Sequence, residues 1–336
     1  MNPSELVTLG KTGLQVSRLG LGTGPLGMVH DDEVWKQIID GALSAGIRSL
    51  DTSPYYGFGN SERRLGRALA RHERDSYVLS TKVGRLLRHD APLDPFAVAY
   101  YYPTGMPDDV PRTVYDYSRT GTLLSLAESR ERLGIRKIDM VHIHDIIELA
   151  SGIDHVDEAI SEAFPALSEL RAAGEISAIG AGVQVNDLIL KLGSTCDFDC
   201  FLIAGRYTLL DQSAADEALP LCVERGISVI IGSPYNTGIL YDPKPGVTFD
   251  FVPAPDELIH KAQRIKQVCE RYEVPLPAAA IQFPFAHPAV VQVLTGARSL
   301  SELKENLDLM RVEIPRDLWD DLREEGLLSE AAIVPT

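Results

Sequence analysis

Short apolar runs alternate with longer amphipathic stretches along nearly the whole chain. The runs fall at residues 19–23, 49–51, 77–82, 140–144, 176–181, 200–203, 228–231 and 290–295, and their length and composition read as strands. Between them, apolar residues recur at helical spacing over 31–45, 61–70, 121–133, 160–173, 187–191, 213–225 and 256–285, with a break near Pro275, and again over 301–310 after the last run. Strands alternating with helices predict a parallel sheet covered by helices. Eight such units favour closure, so the expected fold class is α/β, a (β/α)8 TIM barrel. An open dinucleotide-binding sheet would carry G-x-G-x-x-G at its first strand–helix turn. Here that turn reads GLGTGPLGM, with other glycine spacings and no helix directly after it. Two segments break the alternation. Near the N-terminus, LGKTGLQVSRLG places strand-like runs around a Lys-Thr-Gly turn and predicts a β-hairpin that plugs the bottom of the barrel. Residues 84–120 are a long loop insertion after strand three, with YYYP and VYDYSRTG. Loops of this length in compact domains are usually functional or disordered, and the aromatic content predicts an ordered wall over the mouth.

The chain has 336 residues, 45% of them hydrophobic. Barrels of this kind run as one domain over about 200 to 400 residues, so residues 1–336 are read as a single domain. The net charge of −16 argues against a nucleic-acid partner, which requires a basic face. No apolar run is long enough to span a membrane, and the opening MNPSELVTLGKTG lacks the apolar core of a secretory signal. A cytoplasmic protein, monomeric or a small homo-oligomer, is expected. Cys196 and Cys200 flank two aspartates, but a metal knuckle needs a second ligand pair, so the four cysteines are read as structural or incidental.

Charged and polar residues gather at the predicted strand ends, the rim where barrel enzymes carry their chemistry. Side chains alternate between the faces of a strand. With Leu50 toward the helices, Asp51 points into the barrel; Lys82 shares a face with Val78 and Ser80; His144 shares one with Met140 and His142. Charged groups are rarely buried unless paired, so Asp51 and Lys82 are expected to pair. Tyr56, five residues past Asp51 in SPYYGFGNSE, adds an acid. A neighbouring cation lowers a phenol's pKa, and Lys82 is expected to tune Tyr56 for proton transfer near neutral pH. A rival reading takes His142-x-His144-Asp145 as a metal pair, with Asp51, in a hydrolase. The other strands end in Ala181, Ile203, Ile231 and Thr295, which supply no further ligands, so no metal is expected.

GIRSLDTSPYYGFGNSE from Gly46 to Glu62, LSTKVG around Lys82, and DMVHIHD around His144 together resemble the aldo-keto reductase superfamily, and the likeness runs from the N-terminal hairpin to the ENL segment near the end. STKVGRLLR, VYDYSRTG, AGRYTLLDQ and SPYNTGIL resemble the branch of L-fucose (D-threo-aldose 1-), L-galactose and pyridoxal 4-dehydrogenases. The resemblance implies a catalytic tetrad of Asp51, Tyr56, Lys82 and His144. It implies an oxidoreductase that oxidises a sugar to its lactone, with Tyr56 taking the proton and His144 hydrogen-bonding the same oxygen. Pyridoxal oxidation and general aldehyde reduction are alternatives on the same scaffold. A cofactor-keeping regulatory subunit is an alternative of another class.

The resemblance also implies a nicotinamide dinucleotide across the barrel mouth. Ser233, Tyr235, Asn236, Gly238 and Leu240 lie in a loop that matches the family's pyrophosphate segment. Gly296, Arg298, Glu302, Glu305 and Asn306 match the adenosine end, with the helix N-terminus favouring phosphate. Thr23 and Asp51 are also implied as cofactor-binding residues. Glu302 stands where NADP-preferring relatives place an arginine, which favours NAD over NADP. Many relatives carry Ser-Asn after strand five; here Gly182-Val183 aligns, and Gln184, or else Asn186, is expected to meet the carboxamide. Gly232 replaces the usual stacking tyrosine, leaving Tyr207 or Tyr235 for that role.

Overall fold

The computed structural model describes residues 1–148 and 153–335. Eight parallel strands close into a barrel: β1 (Leu19–Gly22), β2 (Ser49–Asp51), β3 (Val78–Val83), β4 (Met140–His144), β5 (Ala178–Val183), β6 (Cys200–Ala204), β7 (Ser228–Gly232) and β8 (Val290–Thr295). Each pairs with the next in sequence, and β8 returns to β1. The outer layer contains α1 (Asp32–Ser44), α2 (Asn60–Leu69), α3 (Arg119–Leu133), α4 (Phe164–Ala172), α5 (Asn186–Thr195), α6 (Ala218–Arg225), α7 (Asp256–Arg271), α8 (Leu276–Gln282), α9 (Leu300–Leu309) and α10 (Arg316–Glu324). No helix among the described residues is long and apolar enough to cross a membrane.

The predicted hairpin is present, with Leu6–Thr8 antiparallel to Gln15–Ser17. Its Leu9 and Val16 pack with Val78, Met140, Ala178, Cys200, Leu202, Ile230 and Leu294, so the barrel bottom is plugged and apolar. Polar inward residues are thereby left for the upper half.

Strand five lies two residues later than predicted. The backbone N–H groups of Ser177 and Ala178 donate to Asp139 O at 2.8 and 3.0 Å, and the ladder to β4 starts at Ala178. Gly182 and Val183 are therefore inside the strand rather than after it. Gly180 faces His142, and a Cβ there would lie 2.2 Å from His142 Nδ1; the absence of a side chain makes room for the imidazole. The predicted helix at 160–173 opens with a π-helical turn, Ala159–Ala163, just before Pro165, which has no N–H for an α-helical bond. Residues 213–225 are divided between a 3-10 turn at Ser213–Ala215 and α6. The sequence reading missed α10.

The insertion after β3 is ordered as expected. Arg85–Arg88 pairs antiparallel with Arg112–Tyr115, and a short helix, Pro95–Tyr101, lies between them, its N-cap Asp94 accepting from Ala97 N. Ala97, Tyr101, Tyr102 and Val110 of this wall pack with Phe58, and Tyr55 and Tyr56 pack against the cluster.

Candidate active site at the strand ends

β2 and β3 are neighbours in the register Asp51↔Ser80, which brings the predicted carboxylate and ammonium together. Lys82 Nζ donates to Asp51 Oδ2 at 2.6 Å and to Thr52 O at 3.0 Å. It also lies 4.6 Å from the Tyr56 ring centroid. An ammonium has three donors, and the two hydrogen bonds leave one of them on the side of Tyr56. Asp51 Oδ1 accepts from Ser80 Oγ at 2.7 Å. Asp51 and Lys82 are 3% and 1% exposed. Burial works against the charge on Lys82, but Asp51 and Tyr56 outweigh it and hold the ammonium above its usual range.

Tyr56 begins a tight turn, Tyr56–Gly59, in which Gly57, Phe58 and Gly59 all have left-handed backbones. Phe58 is buried in the insertion cluster, which holds that turn in place. Gly24 lies on the other side of the ring, where a Cβ would make ordinary contact with Tyr56 at 3.7 Å. The expectation of an acidified phenol is corrected. Burial raises the Tyr56 pKa; Lys82 lowers it and Asp51 raises it again, and the balance is upward. The phenol is thus a protonated acid at neutral pH, with Lys82 limiting the rise.

His144 packs edge-on to Tyr56, with ring centroids 6.0 Å apart. Burial, then the charges of Arg85 and Lys82, push its pKa well below the usual histidine value, so the ring is neutral. Its Nδ1 lies 3.1 Å from Ser53 Oγ and its Nε2 3.2 Å from Asp145 Oδ2. These partners fit an Nε2–H tautomer, assigned from the carboxylate acceptor. Nδ1 is hydrogen-bonded to Ser53, and Nε2 has the Asp145 carboxylate beside it. Tyr117 OH fixes this corner by donating to His144 O at 2.5 Å and Asp145 O at 3.0 Å. Arg85 reaches Asp145 Oδ2 with Nη2 at 2.9 Å. Neither Arg85 nor Asp145 was singled out as a partner; they are far apart in sequence and no local spacing links them.

Glu62 of the motif is fully buried and serves the scaffold. It accepts from Thr81 Oγ1 at 2.7 Å and Arg132 Nε at 2.6 Å, tying α2 to β3 and α3. Among the described residues no group of three or more His, Cys, Asp or Glu is placed to hold a metal ion.

The expected cofactor residues form a second part of the rim. In the loop after β7, Ser233, Asn236 and Thr237 have positive φ, as does Gly238 at 111°. Such backbone turns can present N–H groups to an anion. Ile239 and Leu240 are fully buried, so the Leu240 side chain anchors the loop. Tyr235 OH donates to Asn306 Oδ1 at 2.8 Å, Tyr241 OH to Glu305 Oε1 at 2.6 Å, and Asn306 Nδ2 to Gly296 O at 3.1 Å. These bonds clamp the loop to the end of β8 and to α9. Gly296 is pressed on Pro25, where a Cβ would lie 2.5 Å from Cγ. Thr23 is buried, donating to Asp51 O and accepting from Ser61 Oγ. Glu302 helps cap α9: Glu302 N donates to Ser299 Oγ of the N-cap, and Arg298 N, one residue before it, donates to Glu302 Oε2 at 2.8 Å. The Arg298 guanidinium also pairs with it at 3.4 Å.

Two assignments change. Tyr207 is fully buried, its ring against Phe283 and His287 and its hydroxyl toward Ile333 O; its faces are packed in the outer core and it is withdrawn as a stacking residue. Gln184 is exposed and its backbone carbonyl holds Arg206 Nε, whereas Asn186 Oδ1, at the start of α5, is buried without a partner among the described residues. An orphaned acceptor just past the end of β5 fits a carboxamide better than Gln184 does.

The family model described as "Aldo/keto reductase family" matches residues 18–325. A D-threo-aldose 1-dehydrogenase from a Pseudomonas species is 39% identical over 330 residues, covering 96% of each chain. A pyridoxal 4-dehydrogenase from Microbacterium luteolum is 40% identical over 351 residues, covering 98% of this chain and 99% of the relative. Among solved structures, the holo form of an aldo-keto reductase from Bacillus halodurans superposes with a TM-score of 0.75 at 23% identity, covering 99% of this chain and 98% of the other.

Proposed function

Because the chain belongs to the aldo/keto reductase family and is an oxidoreductase that uses a nicotinamide cofactor, we propose that it is an NAD-preferring aldose 1-dehydrogenase. In this reading it oxidises the anomeric hydroxyl of a sugar to a lactone. The observation that carries the chemistry is the convergence of Tyr56, Lys82, Asp51 and His144 at one rim. The sugar substrate is supported by the likeness to the D-threo-aldose 1-dehydrogenase over nearly the full length of both chains.

Tyr56 is the proton-transfer group. In oxidation its phenolate removes the hydroxyl proton; in reduction its hydroxyl supplies one. Lys82 lies where it stabilises the phenolate, and Asp51 holds Lys82. His144 packs edge-on against Tyr56; its Nδ1 is held by Ser53, which leaves Nε2 as the nitrogen that would meet the substrate oxygen, beside Asp145. Bound nicotinamide supplies or accepts the hydride. Ser233, Asn236 and Gly238 would hold its pyrophosphate, Gly296, Arg298, Glu302, Glu305 and Asn306 its adenosine end, and Asn186 its carboxamide, with Thr23, Asp51 and Tyr235 lining the groove.

A second reading, oxidation of pyridoxal, is favoured by the 40% identical relative and needs the same proton transfer. Initial rates at 340 nm with L-fucose, L-galactose, D-arabinose and pyridoxal, each with NAD and NADP, separate the two. The proposal expects turnover of at least one aldose with NAD. Turnover of pyridoxal alone would replace it with the second reading, and no turnover of any of the four would refute both.

A further inference from the structure

The guanidinium of Arg85 lies at the rim beside the proposed catalytic residues, and the tetrad does not account for it. Arg85 is 3% exposed. It occupies the first position of the insertion hairpin, just past the end of β3. Its Cζ lies 4.1 Å from the Tyr55 ring centroid and 4.9 Å from that of Tyr115. The two rings cover the cation, and one edge of the guanidinium is used by Asp145. Its Nε and Nη1 are buried with no hydrogen-bond partner among the described residues. A buried donor that has lost water and gained no acceptor is costly, and buried polar groups in native structures nearly always find partners. Asp145 Oδ2, which Arg85 holds, also lies 3.2 Å from His144 Nε2, and Tyr55 packs edge-on against His144 at 6.1 Å. The guanidinium, with its unpaired donors, therefore lies beside the site residues.

We propose that Arg85 binds the substrate, its Nε–H and Nη1–H groups donating to hydroxyl oxygens next to the reacting carbon while Tyr55 and Tyr115 hold the guanidinium plane. This rests on the proposed carbonyl–alcohol chemistry and narrows its substrate class to polyhydroxylated compounds over plain aldehydes. The planar fork of arginine suits two neighbouring oxygens, which a lysine ammonium would meet as a point charge. A site built to hydrogen-bond a hydroxyl rejects an analogue that lacks it, because the protein donors stay unpaired.

Reduction of glyceraldehyde and of propanal by NADH tests this, since the two differ only in hydroxyl groups. Wild-type enzyme is expected to prefer glyceraldehyde in kcat/KM. In Arg85→Met the ratio of the two kcat/KM values should fall about tenfold or more, mostly through the KM for glyceraldehyde, while NADH binding, followed by fluorescence, is retained. Arg85→Lys should fall between, and it serves as the test if the Met variant does not fold. A ratio unchanged within about twofold in a folded variant, or no wild-type preference for glyceraldehyde, would overturn the role of Arg85. Loss of aldose oxidation as a whole in wild-type enzyme would instead refute the proposed function, and the reduction ratio would still report on Arg85.

Discussion

Lys82 Nζ and Asp51 Oδ2 lie 2.6 Å apart at the ends of adjacent strands, both nearly removed from solvent. The pair is costly to assemble, because two charges leave water, and costly to break, because removing one leaves the other alone. Asp51→Asn is therefore expected to lower stability by about 3–5 kcal/mol, measurable by urea unfolding followed by circular dichroism. Lys82→Met leaves the Asp51 carboxylate with Ser80 alone among these contacts and should be destabilised comparably. Unfolding midpoints equal to wild type in both variants would mean that the pair is not held together in solution.

The upward shift of Tyr56 sets opposite pH profiles for the two directions of reaction. Reduction needs the protonated phenol, which is present below the folded pKa. Since that pKa is above the usual value of about 10, reduction should stay flat through neutral pH and fall only in strong alkali. Oxidation needs the phenolate, so its kcat/KM should climb with pH without a plateau below about pH 10. Lys82 is the main force opposing the rise, so its replacement by Met should move the alkaline limb higher. Rates from pH 6 to pH 10.5 in both directions check this. A limb that moves to lower pH in the Met variant contradicts it. Tyr56→Phe should cost about 10² to 10⁴ in kcat.

The barrel, and the meeting of Asp51, Lys82 and His144 at one rim, were legible because period-two alternation settles which strand residues face inward, and because Asp51 and His144 end their strands while Lys82 stands one residue before the end of β3. The plug was legible from its turn. What escaped depends on contacts distant in sequence. Arg85 and Asp145 meet only once β3 and β4 are paired and the insertion folds back. Tyr207 looked suitable for stacking, but its strand-end position leads outward to Phe283. The π-turn before α4 and the two-residue shift of β5 arise from Pro165 and from Asp139, whose backbone carbonyl accepts from the start of the strand; apolar periodicity does not register either one. α10 buries only Leu318, Trp319 and Leu322 in its nine residues, a signal too short to stand out beside the eight repeats.

Glu302 sits against Arg298 at the start of α9, where the proposed function places the adenosine end of the cofactor. Its charge offsets Arg298 and would repel a 2′-phosphate. Glu302→Gln keeps a side-chain acceptor for the Arg298 N–H while removing the charge. The variant should raise kcat/KM with NADP relative to NAD by about 3- to 10-fold at low ionic strength, with a smaller gain at high salt because both side chains are partly exposed. Wild-type enzyme should itself favour NAD. An unchanged cofactor ratio in the variant would remove Glu302 from the selection of cofactor.

His142 lies beneath the site, against Gly180, fully buried with neither ring nitrogen hydrogen-bonded among the described residues. Burial lowers its pKa to about 4, with Asp51 opposing and Lys82 adding to the shift. A histidine depressed in the folded state and ordinary in the unfolded state makes unfolding take up a proton between the two values. The stability it contributes is complete above about pH 6.5 and is lost as pH falls toward 4. The slope is about 1.4 kcal/mol per pH unit, about 3 kcal/mol across the window. Phenylalanine has a similar shape, needs no hydrogen bond and does not titrate. His142→Phe should therefore lose less stability than wild type between pH 6.5 and 4.5, as read from urea midpoints at closely spaced pH. His144 titrates in the same direction, so a residual acid slope remains in the variant. Parallel stability curves for the two proteins would show that His142 does not carry this part of the acid dependence.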